Sequence, residues 1–233
     1  KKHNDLLYFF KLCCFFTTYI IMFNLQKFNE IKQILEKHNN TGKIVAISKN
    51  HPVESVLEAI KNGVRIFGEN RVFEAKNKFI DLFSSYPDLE LHLTGPLQSN
   101  KVKAAVDLFH VFHTLDREKI AKEFSNYNEK LKDKKMFIQV NIGEEETKSG
   151  IKPSLTKSFA EHCINDLKLN IVGLMCIPPI NKDPSEHFLT LQSLCAECKL
   201  HELSIGMSGD YNIALNYNPS YIRLGTILFG QRS

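Results

Sequence analysis

The stretch Lys43-Ile-Val-Ala-Ile-Ser-Lys49 decides how the rest of the chain is interpreted. Its four consecutive apolar residues, 44–47, are typical of a strand buried on both faces, as in a parallel sheet. Lys49 follows that strand after a single serine. Because ligands bind at the carboxyl ends of strands in α/β sheets and barrels, Lys49 is a candidate functional residue. The alternative is that it is the first solvated residue after the strand, since lysine is rarely buried.

Further units of the same kind follow along the chain. The apolar pattern predicts a helix over residues 25–35, before the first strand, and then eight strands that alternate with helices. Strict alternation indicates a parallel sheet. Eight regularly spaced units favour an α/β fold with a single (β/α)8 TIM barrel and an extra N-terminal helix, although a doubly wound open sheet would satisfy the alternation nearly as well. The predicted strands are residues 44–47, 64–67, 89–93, 108–112, 136–140, 169–175, 203–205 and 221–224.

The first residues differ from the remainder. Residues 6–23 are strongly apolar and follow two lysines, a pattern that resembles a signal peptide or a marginal membrane span. Met22 is the first methionine, and the sequence after it is typical of a globular domain. We therefore expect residues 1–21 to be an upstream segment outside the fold and residues 22–233 to form one barrel domain. A genuine export signal is the alternative.

The composition restricts the class of function. The formal net charge is +4 and the chain has no block of five or six like charges, so nucleic-acid binding has no support in the sequence. The six cysteines contain one CxxC, Cys195 to Cys198, without a second pair. It lies in a helical pattern and favours structural cysteines over a zinc or redox site. We expect a reduced, cytoplasmic protein whose folded domain does not associate with a membrane.

Two glycine-rich loops point to a phosphate ligand. Gly206-Met-Ser-Gly209 and Gly225-Thr226 follow the last two predicted strands, where barrels build phosphate sites from backbone amides. Ser208 and Thr226 add hydroxyl donors. A lysine that faces a phosphate site suggests pyridoxal phosphate, because its aldehyde forms a Schiff base with a lysine amine. Arg223 would lie on the floor opposite; a structural ion pair is its alternative role.

Several segments resemble, in order, the motifs of a known family. They are residues 44–49, 67–70, 92–101, 139–142 with 148–151, 173–175, 203–208 and 223–230. On these motifs, among them Phe-Gly-Glu-Asn at 67–70 and Gly-Pro-Leu-Gln-Ser-Asn-Lys at 95–101, the chain resembles the pyridoxal phosphate homeostasis proteins. These are single-domain relatives of the alanine racemase N-terminal barrel. The resemblance implies the fold-type III barrel that binds pyridoxal phosphate.

The resemblance also implies roles for individual residues. Lys49 would be the Schiff-base lysine of pyridoxal 5'-phosphate, Arg223 would face the pyridine nitrogen, and Asn70 and His92 would line the ring pocket. The full set of implied cofactor-binding residues is Lys49, Asn70, His92, Met207, Ser208, Arg223, Gly225 and Thr226. Of these, Ser208, Gly225 and Thr226 would hold the phosphate. Lys101 and Lys148 lie in family motifs and are either transient cofactor contacts or ordinary surface lysines. No metal is implied.

The resemblance leaves a carrier and an enzyme as competing functions. A carrier would buffer pyridoxal phosphate and deliver it to apo forms of enzymes that use it. A racemase or decarboxylase would act on an amino acid, and racemisation needs acid/base groups on both faces of the cofactor. In two-domain racemases the second base is a tyrosine of a C-terminal domain, for which few residues follow Gly230, so we expect the carrier. His92 or His113 could in principle be the second base, and a phosphate-binding barrel enzyme without pyridoxal phosphate is a third possibility.

Overall fold

The computed structural model describes residues 23–38 and 40–231 of the chain. Its centre is a closed barrel of eight parallel strands that neighbour one another in sequence order, with the last strand paired to the first. The strands are β1 (Lys43–Ile47), β2 (Ile66–Glu69), β3 (Glu90–Leu93), β4 (Val111–Leu115), β5 (Lys135–Val140), β6 (Ile171–Cys176), β7 (Glu202–Ser204) and β8 (Tyr221–Leu224). The closed barrel confirms the predicted fold class over the doubly wound alternative.

Helices cover the outside of the barrel, and each strand is followed by at least one of them. They are α1 (Leu25–Lys37), α2 (Val53–Lys61), α3 (Val72–Phe79), α4 (Leu82–Ser85), α5 (Val102–Leu108), α6 (Glu118–Ser125), α7 (Asn128–Leu131), α8 (Pro153–Asn165), α9 (Pro184–Glu197), α10 (Tyr211–Ala214) and α11 (Thr226–Phe229). Helix α1 precedes β1, as the sequence predicts. Pro153 and Pro184 begin the two longest helices of the second half, where their fixed φ suits the first turn.

The strands are buried on both faces, which explains their continuous apolar runs. In β1, Ile44 and Ala46 pack outward into the core shared with the helices, whereas Val45 and Ile47 pack inward with Phe137, Met175 and Tyr221. Side chains of a strand alternate between its two faces, so a strand without polar interruptions needs apolar neighbours on both.

Strands from the two ends of the described chain pair with each other and so close the barrel. Strand β1 pairs with β8 from Lys43 opposite Tyr221 to Ala46 opposite Leu224. Ahead of α1, the Asn24 amide donates to the Leu228 carbonyl at 2.7 Å. The Phe23 ring packs on Phe229, with ring centroids 5.6 Å apart. Helix α1 is therefore fastened to α11 at the end of the barrel.

The position of the fourth strand corrects the prediction. The apolar pattern predicts a strand over residues 108–112, but β4 is Val111–Leu115 because α5 continues to Leu108. Phe109, in the connection, is buried in the outer core and not in the sheet. His113 and Thr114 therefore belong to the strand instead of following it. His113 is fully buried.

Other predictions concern features away from the barrel mouth. The expectation for residues 1–21 lies outside the described residues and stays a prediction. Within residues 23–38 and 40–231, no helix combines the length and apolar character needed to cross a membrane. No group of three metal-ligating side chains occurs in that part either. Cys195 is buried and donates to the Glu202 carbonyl at 3.6 Å, and burial raises the pKa of its thiol to about 11.

Candidate functional site

A cavity of about 520 Å³ opens at the carboxyl ends of the strands. That volume is in the range of pockets that hold small organic ligands. Seven of the eight predicted site residues line it: Lys49, Asn70, Met207, Ser208, Arg223, Gly225 and Thr226. Residues from the ends of β1, β2, β7 and β8 thus meet around one space, as expected for a barrel.

The cavity lining carries positive charge without negative charge. Lys49, Lys148 and Arg223 line the space, and no aspartate or glutamate is found among its described lining residues. Hydroxyl and amide side chains, among them Thr94, Thr114 and Gln139, supply most of the other polar groups. Such a donor set suits an anionic ligand with further hydrogen-bonding groups.

Lys49 is positioned by polar contacts on both of its neighbours in the chain. The Ser48 carbonyl accepts a hydrogen bond from Lys78 Nζ at 2.7 Å, and the Ser48 hydroxyl donates to Glu69 Oε1 at 2.7 Å. On the other side, the Asn50 amide donates to Glu74 Oε1 at 2.5 Å. Asn50 has a positive φ of 60°, a left-handed conformation that asparagine tolerates better than most residues. The chain therefore turns sharply immediately after Lys49.

We call Ser48, Asn50, Glu69, Glu74 and Lys78 the lysine clamp. Its ions are close together: Lys78 Nζ lies 2.9 Å from Glu69 Oε1 and 2.7 Å from Glu74 Oε1. Glu69 is fully buried at the end of β2, and its Oε2 has no hydrogen-bond partner among the described residues. Burial raises the pKa of the Glu69 carboxyl, against the opposing effects of Lys78 and Ser48. The clamp thus holds the backbone around Lys49 with a buried and incompletely satisfied carboxyl group.

The two glycine-rich loops follow β7 and β8 and meet at the cavity, the second of them beside the end of β1. Gly206 has a φ of +86°, and an added Cβ would lie 2.8 Å from the Ala214 Cβ, so a larger residue would be strained and crowded there. The Asp210 carboxylate accepts from the Met207 amide at 2.5 Å and so holds the first loop. The Ser208 hydroxyl accepts from the Ile227 amide at 3.4 Å, which joins the first loop to the start of α11.

Arg223 lies in β8, almost completely buried, at the floor of the cavity. Nη1 donates to the Ser204 hydroxyl at 2.6 Å, and Nη2 donates to the Cys176 carbonyl at 3.0 Å. Both partners are uncharged. Burial lowers the pKa of the guanidinium, although an arginine stays protonated at any ordinary pH. The cavity floor thus presents a fixed cation that can donate hydrogen bonds and cannot accept them.

Beneath Arg223, the barrel interior contains a second polar network. The Ser204 hydroxyl lies 2.7 Å from His113 Nδ1, His113 Nε2 lies 2.9 Å from His92 Nδ1, and His92 Nε2 lies 2.9 Å from Glu90 Oε1. We call Arg223, Ser204, His113, His92 and Glu90 the arginine chain. His92, predicted to line the ring pocket, lies in this chain and is not among the cavity-lining residues.

Asn70 is held at the cavity by the loop after β3. The Thr94 hydroxyl donates to Asn70 Oδ1 at 3.0 Å. An added Cβ at Gly95 would lie 2.5 Å from the Asn70 carbonyl oxygen, so glycine permits this close approach. Thr94 and Gly95 line the cavity themselves. Our residue assignments from the sequence omitted them, although both lie in the third-strand motif.

Comparisons with known proteins agree with these observations. Residues 24–233 match the family described as alanine racemase, N-terminal domain. A pyridoxal phosphate homeostasis protein of Aquifex aeolicus is 36% identical over 205 residues, which cover 83% of this chain and 88% of that protein. A pyridoxal phosphate homeostasis protein of Vibrio cholerae is 38% identical over 200 residues, covering 81% and 85% of the two chains.

Solved structures show the same barrel. PipY of Synechococcus elongatus without pyridoxal phosphate aligns with a TM-score of 0.79 at 32% identity, and with pyridoxal phosphate bound at 0.75 and 30%. Each alignment covers 88% of this chain and 99% of PipY. An alanine racemase of Corynebacterium glutamicum aligns at 0.64 with 17% identity, covering 88% of this chain and 61% of the racemase. At that identity the racemase supports the fold alone.

Proposed function

The chain belongs to the family of pyridoxal phosphate homeostasis proteins, and from that premise we propose that it binds pyridoxal 5'-phosphate at the barrel mouth and buffers and delivers this cofactor. The observation that carries the proposal is the cavity lining. A lysine amine and a buried guanidinium line one space with the two glycine-rich loops, without a carboxylate among the described lining residues. That set fits a dianionic phosphate ester with an aldehyde.

Each part of the ligand has residues that fit it. Ser208, Gly225 and Thr226 would hold the phosphate, and Lys49 would hold the other end covalently. When bound, pyridoxal phosphate supplies an aldehyde that condenses with a primary amine and releases water. Arg223 would face the ring nitrogen, and Asn70 and Met207 would complete the ring's surroundings. His92 would act from below, through the arginine chain.

The nature of Arg223 disfavours reactions that need the ring as a strong electron sink. A guanidinium donates hydrogen bonds but does not give up its proton, so it would leave the ring nitrogen unprotonated. Enzymes that use the ring as a strong electron sink commonly place a carboxylate at that position. Arg223 donates to a hydroxyl and to a carbonyl. Any hydrogen bond between Arg223 and a ligand on the cavity floor would likewise be donated by the guanidinium.

Partners and location are further parts of the proposal. We propose that apo forms of pyridoxal-phosphate-dependent enzymes receive the cofactor, and that this happens in the cytoplasm. Free thiols support a reducing compartment: Cys163, Cys176, Cys195 and Cys198 are unpaired in the described part of the chain.

The proposal is tested by reconstitution with pyridoxal phosphate. We expect the protein to gain the visible absorbance of a lysine-bound cofactor, and Lys49→Ala to lose it while keeping its circular dichroism spectrum. Lys148→Ala, a second lysine of the lining, is the matched control and should keep the absorbance. A wild-type protein that stays colourless would refute cofactor binding.

A second experiment separates the carrier from an enzyme. The loaded protein is mixed with an apo enzyme that requires pyridoxal phosphate, and separately with L-amino acids. We expect activation of the apo enzyme and no amino-acid turnover. Sustained racemisation or decarboxylation would show that the protein is an enzyme and not a carrier.

A further inference from the structure

The arginine chain crosses the barrel from the cavity to its opposite end. Arg223 and Ser204 belong to β8 and β7, and His113 and His92 belong to β4 and β3 on the other side of the barrel. Glu90, at the start of β3, lies at the amino-terminal ends of the strands and is half-buried beside Lys43, whose Nζ is 3.9 Å from Glu90 Oε2. The three groups between the ions have no solvent exposure.

The chemistry of the two ends fixes the direction of every hydrogen bond between them. Arg223 can only donate, so the Ser204 oxygen accepts from Nη1. Glu90 as a carboxylate can only accept, so His92 must carry its proton on Nε2. The hydrogen bond from His92 lowers the pKa of Glu90, despite the opposing effect of burial, which supports the ionised form.

The positions of the remaining protons follow because a neutral imidazole has one protonated and one unprotonated ring nitrogen. A neutral His92 that donates through Nε2 has an unprotonated Nδ1, which must accept from His113 Nε2. His113 is then unprotonated at Nδ1, which accepts from the Ser204 hydroxyl. The opposite arrangement would place an unprotonated His92 Nε2 against the Glu90 carboxylate, two acceptors 2.9 Å apart. Burial lowers the pKa of His92 and, with the charge of Arg223 nearby, that of His113.

The rings have little room for another arrangement. His113 stacks on Phe137 with ring centroids 4.9 Å apart and planes inclined by 8°. Tyr221 contacts both imidazoles edge-on, with centroids at 5.1 Å from His92 and 5.5 Å from His113. The packing thus holds both rings where the four hydrogen bonds can form.

We propose that Ser204, His113, His92 and Glu90 are positioning residues for Arg223, joined in a one-way chain of hydrogen bonds that runs from the guanidinium to the Glu90 carboxylate and keeps both histidines as neutral Nε2–H tautomers. The chain links the cationic floor of the cavity to an anion at the opposite end of the barrel. Each donor polarises the next, so the buried cation is stabilised without a carboxylate entering the cavity. The effect on the cofactor rests on the function proposed above, whereas the tautomers do not.

The tautomers are tested on the full chain without added cofactor. Long-range ¹H–¹⁵N spectra of protein labelled at histidine report which ring nitrogen carries the proton, and His113→Gln assigns that signal. We expect both rings as neutral Nε2–H forms at pH 7, whereas the half-exposed His162, whose pKa is raised chiefly by the Asp166 hydrogen bond, titrates as an internal control. An Nδ1–H tautomer or an imidazolium at either buried site would overturn the chain.

The positioning role is tested with two substitutions at its two ends. Ser204→Ala removes the hydroxyl that Arg223 contacts, and we expect pyridoxal phosphate to bind roughly tenfold more weakly, with a shifted absorbance maximum. Glu90→Leu removes the terminal acceptor far from the cavity. Since His92 Nε2 then has no carboxylate to donate to, we expect its tautomer to be no longer fixed and the same maximum to shift. An unchanged maximum and affinity in a folded Glu90→Leu variant would refute the positioning role. A wild-type protein that binds no pyridoxal phosphate would refute the proposed function and leave the tautomer result standing.

Discussion

The lysine clamp supports Lys49 after β1 and the arginine chain supports Arg223 in the neighbouring strand β8, and both residues line one cavity. The two networks keep their charges in different places. In the clamp the ions touch: Lys78 lies within 3 Å of two carboxylates on the outer side of β1 and β2. In the chain the two ions stand at opposite ends, separated by three neutral groups inside the barrel. The clamp is therefore sensitive to the loss of one ion, and the chain to the protonation of the groups between.

The largest effect should come from removing the cation of the clamp. Lys78→Met leaves the buried Glu69 without its charged partner and removes the donor to the Ser48 carbonyl. We expect the free energy of unfolding to fall by about 3–5 kcal/mol, the usual cost of breaking a buried ion pair. Urea denaturation measures it, with Lys76→Met, an exposed lysine on the same helix, as the control. Equal stability of the two variants would show that the clamp does not hold the fold.

The arginine chain should respond to acid. The pKa values of His92 and His113 are lowered in the folded state, so below the unfolded pKa of roughly 6.5 the unfolded chain binds more protons. Stability from these groups is therefore full above that pH and declines as the pH falls. The loss is at most about 1.4 kcal/mol per histidine for each pH unit. The other charged or titratable groups that face the pair are Glu90, Lys43, His110, Arg223 and Tyr221.

The stability contributed by Glu69 changes with pH in the opposite direction, so its carboxyl should be removed from the measurement. Its raised pKa gives stability that is present at low pH and lost as the pH rises, which would partly mask the histidines. Urea midpoints at pH 7.5 and 5.5 are therefore best compared in the Glu69→Gln background as well as in the wild type. His162, whose raised pKa also gives stability at low pH, is replaced by glutamine in the same background. A midpoint that then does not decrease at pH 5.5 would mean that the buried histidines already carry protons.

The same substitution gives the smallest effect on stability. Glu69→Gln keeps Oε1 for Ser48 and Lys78 and places an amide nitrogen where Oε2 has no partner. Since burial already disfavours the charge, we expect a loss below about 1 kcal/mol at pH 7 and unchanged cofactor absorbance. A loss as large as that of Lys78→Met would mean that the clamp depends on the charge of Glu69 and not on its geometry.

The sequence predicted the barrel well because the signal is local and repeated. Continuous apolar strands, helices with a single buried face and polar strand ends are properties of short segments. Lys49, Ser208 and Thr226 could be placed on one face because parallel strands all end there. The same logic located Arg223 at the cavity without knowledge of any contact.

The two networks were missed for physical reasons. Glu69 follows the predicted strand 64–67 and so resembles a residue of a solvated turn. In the structure it is the last residue of β2, and its carboxyl pairs with Lys78 of the next helix. His113 contacts Ser204 across the barrel, a pairing of distant residues that no local pattern encodes. Placing the fourth strand three residues early hid it further, since a histidine after a strand suggests solvent. Buried polar groups such as these do not follow the apolar patterns from which strands and helices are predicted.

The closure of the barrel has a consequence for how the protein is made. Strand β1 carries the chain into Lys49, whereas Arg223 and Thr226 belong to the last strand and helix of the described chain, and these strands pair directly. Contacts between residues so far apart in sequence form late, because a long loop must close before they are gained. During translation Lys49 emerges early, but Arg223 and Thr226 join it in the cavity lining only after β8 has left the ribosome. Cofactor capture can therefore report that synthesis has passed the last strand.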